Sequence, residues 1–399
     1  MKQEDILETL QRNQGLCCVK NVIAYDEEKK ETHASILLRD QCIVGLSPNE
    51  HQLPSSCQTI DCSNSSPLLI MQKHLDVGSI CGEPDHLHYG TRAQLQHQAQ
   101  ENGIGQLAVF PRNNSYFTQP DWISTLAQDP FFLPIASVSS RQFSSKRPAQ
   151  YELSDVGLLC ERGAIALHQQ NDVDITTLRK IFLYAKRFSI PLFIRAGESS
   201  FEKQGVMREG NASIQLGYRG IPSCSEDIFV SKICALLRDI NIEIHISHIS
   251  TQSGVFRIQQ AKEEGLNITA SCNFRNLILC DEDILENPSN NELHVIPPLG
   301  SKQDQQSLRE ALQKNILDGL MRDHHIIPQE AKEGCFSEVE SGTIGFDQDV
   351  FASVHQTHLL PAILLSCTFW KDLLKQPKNS LIQQDINQLV LQPLPILST

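Results

Sequence analysis

The chain has 399 residues, 40% of them apolar, and a formal net charge of −13. That length suits one large α/β domain with a smaller one beside it. The acidic balance argues against non-specific binding to nucleic acid or to an anionic membrane, and the longest apolar runs are far too short to span a bilayer. Residues 1–13 are charged and polar and lack the apolar centre of a signal peptide. Thirteen cysteines, an odd number without a C-x-x-C pair, read as reduced thiols in a cytoplasmic protein. Adjacent Cys17 and Cys18 are expected as half-buried strand residues.

In chain order, residues 17–24, 34–39 and 41–45 are short runs rich in Val, Ile and Leu, separated by polar turns, and predict strands. Residues 48–66 are polar and turn-rich and read as a link. From Leu68 onward apolar runs alternate with helical patterns. Strands are predicted at 69–74, 106–111, 132–138, 163–167, 191–196, 243–248, 267–272 and 317–323. Between them, Leu178, Ile181, Phe182, Ala185 and Phe188 follow the 3.6-residue spacing of a helix over 177–188. Ser223 and Glu226 have capping-box spacing ahead of a helix at 228–237, and Gly265 suits a C-terminal cap after 255–264. Eight strands with intervening helices predict an α/β fold, a (β/α)₈ TIM barrel with its site at the C-terminal strand ends. A doubly wound open sheet fits the same periodicity. The expected organisation is a β-rich segment 1–66, a barrel over 67–345, and a C-terminal segment 346–399 with helices and a strand at 386–391.

Three segments carry more than periodicity. They are Leu216-Gly217-Tyr218-Arg219-Gly220-Ile221-Pro222 followed by Glu226, His245-Ile246-Ser247-His248-Ile249-Ser250-Thr251, and Leu277-Ile278-Leu279-Cys280-Asp281-Glu282-Asp283 followed by Pro297-Pro298-Leu299. Gly90-Thr91-Arg92, Gly163-Ala164-Ile165-Ala166 and Gly342-Thr343-Ile344-Gly345 extend the pattern. Together and in this order they resemble type I dihydroorotase of the amidohydrolase superfamily, from about Val19 to Phe351. The resemblance implies a (β/α)₈ barrel with a small β-sandwich built on the chain ends, and a two-zinc site at the barrel mouth.

Residue by residue, that site is degenerate. The family's His-x-His pair on the first barrel strand reads Gln72 and His74, and its carboxylate-gripping Arg falls on Asp76. A substrate-binding Asn becomes Arg112. The metal-bridging Asp becomes Gln169, and the fifth-strand His becomes Arg195. His248 and Asp323 are kept, Asp323 matching the family's general base. The run Asn-Pro-Pro-Leu-Arg begins with Ile296 and ends with Gly300, and a later His is Ile327. His324 and His325 read as exposed loop residues, as do His86 and His88.

Zinc hydrolases make hydroxide by lowering the pKa of bound water to about 7. A neutral Gln169 cannot bridge two cations, and a guanidinium offers no lone pair. At ~4 Å and an effective dielectric near 20, two unit charges interact by about 4 kcal/mol, and a divalent ion doubles that. The resemblance therefore points to the inactive dihydroorotase-like chains that some bacteria carry as non-catalytic partners of aspartate carbamoyltransferase in pyrimidine biosynthesis. No cofactor is expected on that reading. Asp323 would then pair with Arg195, and Asp76 with Arg112. The alternative is an active cyclic amidohydrolase with a divergent mononuclear zinc site of His74, His248 and Asp323, with Arg112 binding substrate. A third reading is a small-molecule sensor using Arg112 and Arg195 as anion-binding groups.

Overall fold

The computed structural model describes residues 3–12, 14–49, 52–63, 67–111, 116–142, 150–342 and 359–394. It divides into two compact units. The first comprises Met1–Leu75, Glu101–Gly105 and Asp349–Thr399. Its sheet contains β1 (Leu16–Asp26), β2 (Glu31–Arg39), β3 (Cys42–Leu46), β4 (Gln58–Asp61) and β5 (Leu68–Met71), joined by a strand near the C-terminus, Val390–Pro393. β1 is the hub. It pairs antiparallel with β2 and parallel with β4 and β5. Cys17 and Cys18 are fully buried in it, where the sequence suggested half-burial. Val19, Ile36, Ile43 and Ile70 contribute to the apolar core, and Lys371 from the helix Leu360–Leu373 is buried against Glu27.

The C-terminal strand lies four residues later than the sequence suggested. Residues Ile386–Gln388 form a 3₁₀ turn, and Val390–Pro393 pairs antiparallel with β5. Pro393 has no N–H to donate, which suits it to this outermost strand of the sheet.

The second unit is the barrel. Its strands are β6 (His74–Ile80), β7 (Ile104–Phe110), β8 (Phe132–Ser137), then, after a two-stranded hairpin of β9 (Ser139–Gln142) and β10 (Gln150–Leu153), β11 (Ala166–Gln169) and β12 (Leu192–Arg195). A short pair, β13 (Met207–Arg208) and β14 (Gly220–Ile221), precedes β15 (Ile244–Ser247), β16 (Ile268–Asn273) and β17 (Gly319–Met321). The terminal strand of the first unit is then β18. The eight barrel strands follow in spatial order β6-β7-β8-β11-β12-β15-β16-β17. The seam is drawn together by Ile80, whose N–H donates to the His324 carbonyl at 3.0 Å. The open-sheet alternative is thereby set aside. Nearly continuous burial along β8, β11 and β15 is what a parallel strand covered on both faces requires.

Helix ends follow local chemistry. The helix Ile175–Ala185 starts two residues before the apolar spacing suggests, because Asp174 accepts from the N–H groups of Thr176 and Thr177. Gly265 takes the left-handed backbone, φ 75°, just past the helix Gln252–Glu263, as expected. The capping box at Ser223 does not form. Glu226 turns inward instead, 2% exposed, and accepts from the N–H and hydroxyl groups of Ser250 and Thr251. Its carboxylate is more fully satisfied there than one cap N–H would make it.

Candidate functional site

The C-terminal strand ends surround a cavity of about 430 Å³. Its lining includes Gly78 and Ile80 from β6, Phe110 from β7, His168 from β11, Arg195 from β12, His248 just after β15 and Asp323 just after β17.

The first strand corrects the sequence reading. Leu68–Met71 is β5 of the first unit, so the apolar run predicted as the first barrel strand belongs to the other sheet. Both segments are buried, but β6 carries His74, Asp76 and Ser79 and so gives a weaker apolar signal than Leu68–Met71. The barrel strand is β6, and the two positions at its mouth end, two apart on one face, are Gly78 and Ile80. Neither side chain offers a lone pair. Gln72 is a structural residue that donates from Nε2 to the Ser380 carbonyl at 3.0 Å. His74 opens β6, six residues before Ile80, roughly 20 Å away at ~3.3 Å per residue.

Arg195 is seated by a built ion pair. Its Nη1 and Nη2 donate to Glu202 Oε1 and Oε2 at 2.8 and 2.6 Å. Asn171 steadies the pair, donating from Nδ2 to Glu202 Oε2 at 3.1 Å and to the Gly197 carbonyl at 2.7 Å. Gly197 has φ 120°, and a Cβ there would collide with Glu202 Oε1. Glycine suits this left-handed backbone and leaves the carboxylate room beside the guanidinium. The Arg195–Asp323 pairing expected from sequence is therefore replaced: Glu202, seven residues along, takes that role.

Asp323 pairs elsewhere. Its Oδ1 lies 3.2 Å from His248 Nε2, and its Oδ2 accepts from Asn273 Nδ2 at 3.0 Å. Burial pushes its pKa up, but His248, His325 and Asn273 outweigh that and hold it below the usual carboxylate value. His168 is buried beside the Phe110 ring, with centroids 5.2 Å apart. Burial, with His248 and Arg195 nearby, depresses its pKa to about 3, so it is neutral at physiological pH.

The remaining positions divide. Gln169 spends its amide internally: Oε1 accepts from Ser139 Oγ at 2.8 Å and Nε2 donates to the Gln170 carbonyl at 3.2 Å. Asp76, 3% exposed, accepts from the Arg322 N–H at 3.3 Å and the Ser79 hydroxyl at 3.4 Å. Burial raises its pKa to about 6 against the pull of Arg322. Arg112 lies outside the described residues. Ile296 lines the cavity, whereas Ile327 is buried and is not part of its lining. His324 and His325 are buried, contrary to the exposed loop expected, because they lie on the segment that closes the barrel seam. His86 and His88 are exposed.

Sequence reasoning missed Glu202, Asn171, His168, Gly78 and Ile80 as site residues. Asn171 and His168 flank the flagged Gln169 and were within reach; Glu202 carried no local signal.

No family model matches the chain. Among curated proteins it is 27% identical over 380 residues to a "Probable dihydroorotase-like protein" of Synechocystis sp., covering 88% of this chain and 85% of that one. It is 27% identical over 376 residues to a dihydroorotase of Ehrlichia chaffeensis, covering 92% and 83%. Among solved structures it resembles L-hydantoinase (dihydropyrimidinase) from Arthrobacter aurescens, with a TM-score of 0.69 and 17% identity over 92% of this chain and 84% of that one. The two curated likenesses support kinship with the amidohydrolase superfamily. The hydantoinase likeness speaks to the barrel fold alone.

The zinc pair that the family resemblance implies does not fit the barrel mouth of this chain. Among the described residues no three His, Cys, Asp or Glu side chains converge to hold a metal ion. Gly78 and Ile80 carry no donor, Arg195 brings a fixed positive charge, and Gln169 is neutral and hydrogen-bonded. The mononuclear set of His74, His248 and Asp323 fares no better, since His74 lies at the far end of its strand from the mouth. Among the described residues no helix is long and apolar enough to cross a membrane.

Proposed function

We propose that this chain is a catalytically inactive dihydroorotase-like protein that serves as a structural or regulatory, non-catalytic subunit of aspartate carbamoyltransferase in pyrimidine biosynthesis. The observation that carries the inactive half of this reading is the Arg195–Glu202 pair, seated where a metal ligand would stand and given room by Gly197. Hydrolysis of a cyclic amide needs an activated water, and the lining offers no metal cradle to activate it. Of the titratable groups that line it, His168 is neutral, Asp323 is committed to His248 and Asn273, Glu340 accepts from the Tyr89 hydroxyl, and His325 is buried at the barrel seam. The dihydroorotase names belong to the relatives; the reading for this chain rests on its own donor positions.

The partner half rests on the family resemblance. A barrel relieved of catalysis can still present helices and loops that hold a transferase together. The test is to mix the purified chain with the aspartate carbamoyltransferase catalytic chain of the same host and measure assembly size by light scattering alongside transferase activity. Formation of a mixed complex with changed activity or stability is the expected result. Transferase and barrel chain that elute separately, at micromolar concentrations and with unaltered activity, would overturn the partner assignment.

A further inference from the structure

The helix Ile175–Ala185 buries Leu178, Ile181, Phe182 and Ala185. Its outward face carries a different pattern. Leu183 is 44% exposed, and Arg179, Lys180, Lys186 and Arg187, all exposed, stand three or four residues from it on either side. On a helix those positions are its nearest surface neighbours, so four cations ring one exposed leucine. Ile175, also 44% exposed, lies eight residues earlier, about 12 Å along the same face.

None of these four cations has an ion-pair partner among the described residues. The longer helices later in the barrel are matched instead. Lys232 pairs with Glu198, Arg238 with Glu264, Arg257 with Asp227 and Lys262 with Asp318. Those are all the Lys and Arg residues of the helices Cys224–Asp239 and Gln252–Glu263. The only carboxylate in residues 174–188 is Asp174, and it is spent at the helix N-terminus on Thr176 and Thr177. The helix dipole accounts for Lys186 and Arg187 at the C-terminus, but not for Arg179 and Lys180 in the middle. Solubility does not account for them either, since the chain already carries a net charge of −13. Unneutralised cations around exposed apolar side chains are complementary to an acidic surface that also offers apolar contact.

We propose that this face docks an acidic amphipathic helix of a partner protein. Apolar side chains of that helix would pack on Ile175 and Leu183, and its carboxylates would pair with Arg179, Lys180, Lys186 and Arg187. An apolar seam flanked by opposite charges is how two helices select each other, and the two guanidinium groups suit two-pronged contacts with carboxylates. Nucleic acid fits less well, because Ile175 and Leu183 would face phosphates. An anionic membrane would meet only two apolar side chains on this helix and the repulsion of an acidic chain. A contact one helix wide belongs to the small, reversible class of interfaces. This inference does not rest on the proposed function, and its failure would leave that reading untouched.

The test is fluorescence anisotropy of a labelled helical peptide, with leucine at heptad spacing and glutamate on either side, titrated with the full chain at physiological ionic strength. The same peptide with lysine for every glutamate, vesicles of phosphatidylserine and phosphatidylcholine, and duplex DNA are measured beside it. Saturable one-to-one binding of the acidic peptide is expected, weakened about tenfold by Arg179→Glu/Arg187→Glu and about threefold by Leu183→Ser. No saturable binding of the acidic peptide, equal binding of the lysine peptide, or unchanged affinity in the charge variant would overturn the proposal. Unchanged affinity in Leu183→Ser would reduce the face to a bare charge effect and overturn it too. So would tighter binding of the vesicles or of DNA. If Arg179→Glu/Arg187→Glu fails to fold, the milder Arg179→Gln/Lys180→Gln decides: a loss of about threefold supports the docking face, and unchanged affinity overturns it.

Discussion

The two sides of the barrel mouth differ in what their polar groups are for. On the β15–β17 side, His248 and Asp323 keep donor chemistry and face each other at 3.2 Å. Both hold left-handed backbones, φ 66° and 52°, at a cost of about 1–3 kcal/mol each. On the β6–β12 side, Gly78 and Ile80 offer nothing to a metal, and Arg195 is locked to Glu202. The contrast teaches that retained histidines and aspartates are not by themselves a site. A ligand set must converge, and here one half is hydrogen-bonded to itself while the other half is blocked by an ion pair.

The largest expected effect comes from breaking that pair. Arg195→Ala leaves the Glu202 carboxylate, 10% exposed at its side chain, without its cation. Loss of one partner of such a pair should cost about 3 kcal/mol by urea denaturation. The double variant Arg195→Ala/Glu202→Ala should cost clearly less than Arg195→Ala alone. A cost for the single variant below about 0.5 kcal/mol, the scale of a surface pair, would mean that the guanidinium is incidental.

Asp76 should show the next largest effect, with opposite sign. Its carboxyl titrates near 6 in the fold against an ordinary value near 4 in the unfolded chain. The fold therefore holds a proton that the unfolded chain has released, so this group's contribution is most favourable below pH 4 and declines as pH rises through 6. A shift of that size is worth about 3 kcal/mol at neutral pH. Asp76→Asn should raise stability at pH 7.5 by up to that amount, with the gain gone below pH 4. Equal stability of the two proteins at every pH would show that Asp76 is fully compensated.

On the retained side, Asp323→Asn should cost about 1–2 kcal/mol, the scale of a hydrogen bond to a charged group. The folded pKa of Asp323 is depressed, so its contribution is present above the ordinary carboxylate range and is lost as pH falls below it. The cost of the variant should shrink in acid; a cost that grows there would contradict the assignment. Smallest of all, Gln72→Ala removes the bond to the Ser380 carbonyl and should cost about 1 kcal/mol. Faster amide exchange confined to residues near 380 would accompany it, and exchange spreading into the barrel mouth would place Gln72 at the site after all.

Much of the barrel was legible because parallel strands buried on both faces read as short apolar runs between helical patterns. Phe132–Ser137 and Ile244–Ser247 fall close to their predicted positions for that reason. The first strand failed because Leu68–Met71 is the wholly apolar run, whereas β6 is interrupted by His74, Asp76 and Ser79 and carries the weaker strand signal. That error carried the expected ligand pair six residues upstream of the mouth. Arg195 and Asp323 both line the cavity, each ending or following a well-defined strand, but their partners were not legible. Glu202 reaches Arg195, and His248 and Asn273 reach Asp323, through tertiary folding that spacing does not encode. Glu226 misled in the same way: it sits at capping distance from Ser223 but is drawn inward by Ser250 and Thr251.

The central claim is that the mouth of this barrel cannot assemble a hydrolytic metal centre. Incubating the purified chain with zinc, removing the excess, and measuring bound metal by mass spectrometry alongside dihydroorotate ring opening tests it most directly. The account predicts well under one zinc per chain and no turnover above background. One or two tightly held zinc ions per chain, with turnover abolished by Asp323→Ala, would contradict it.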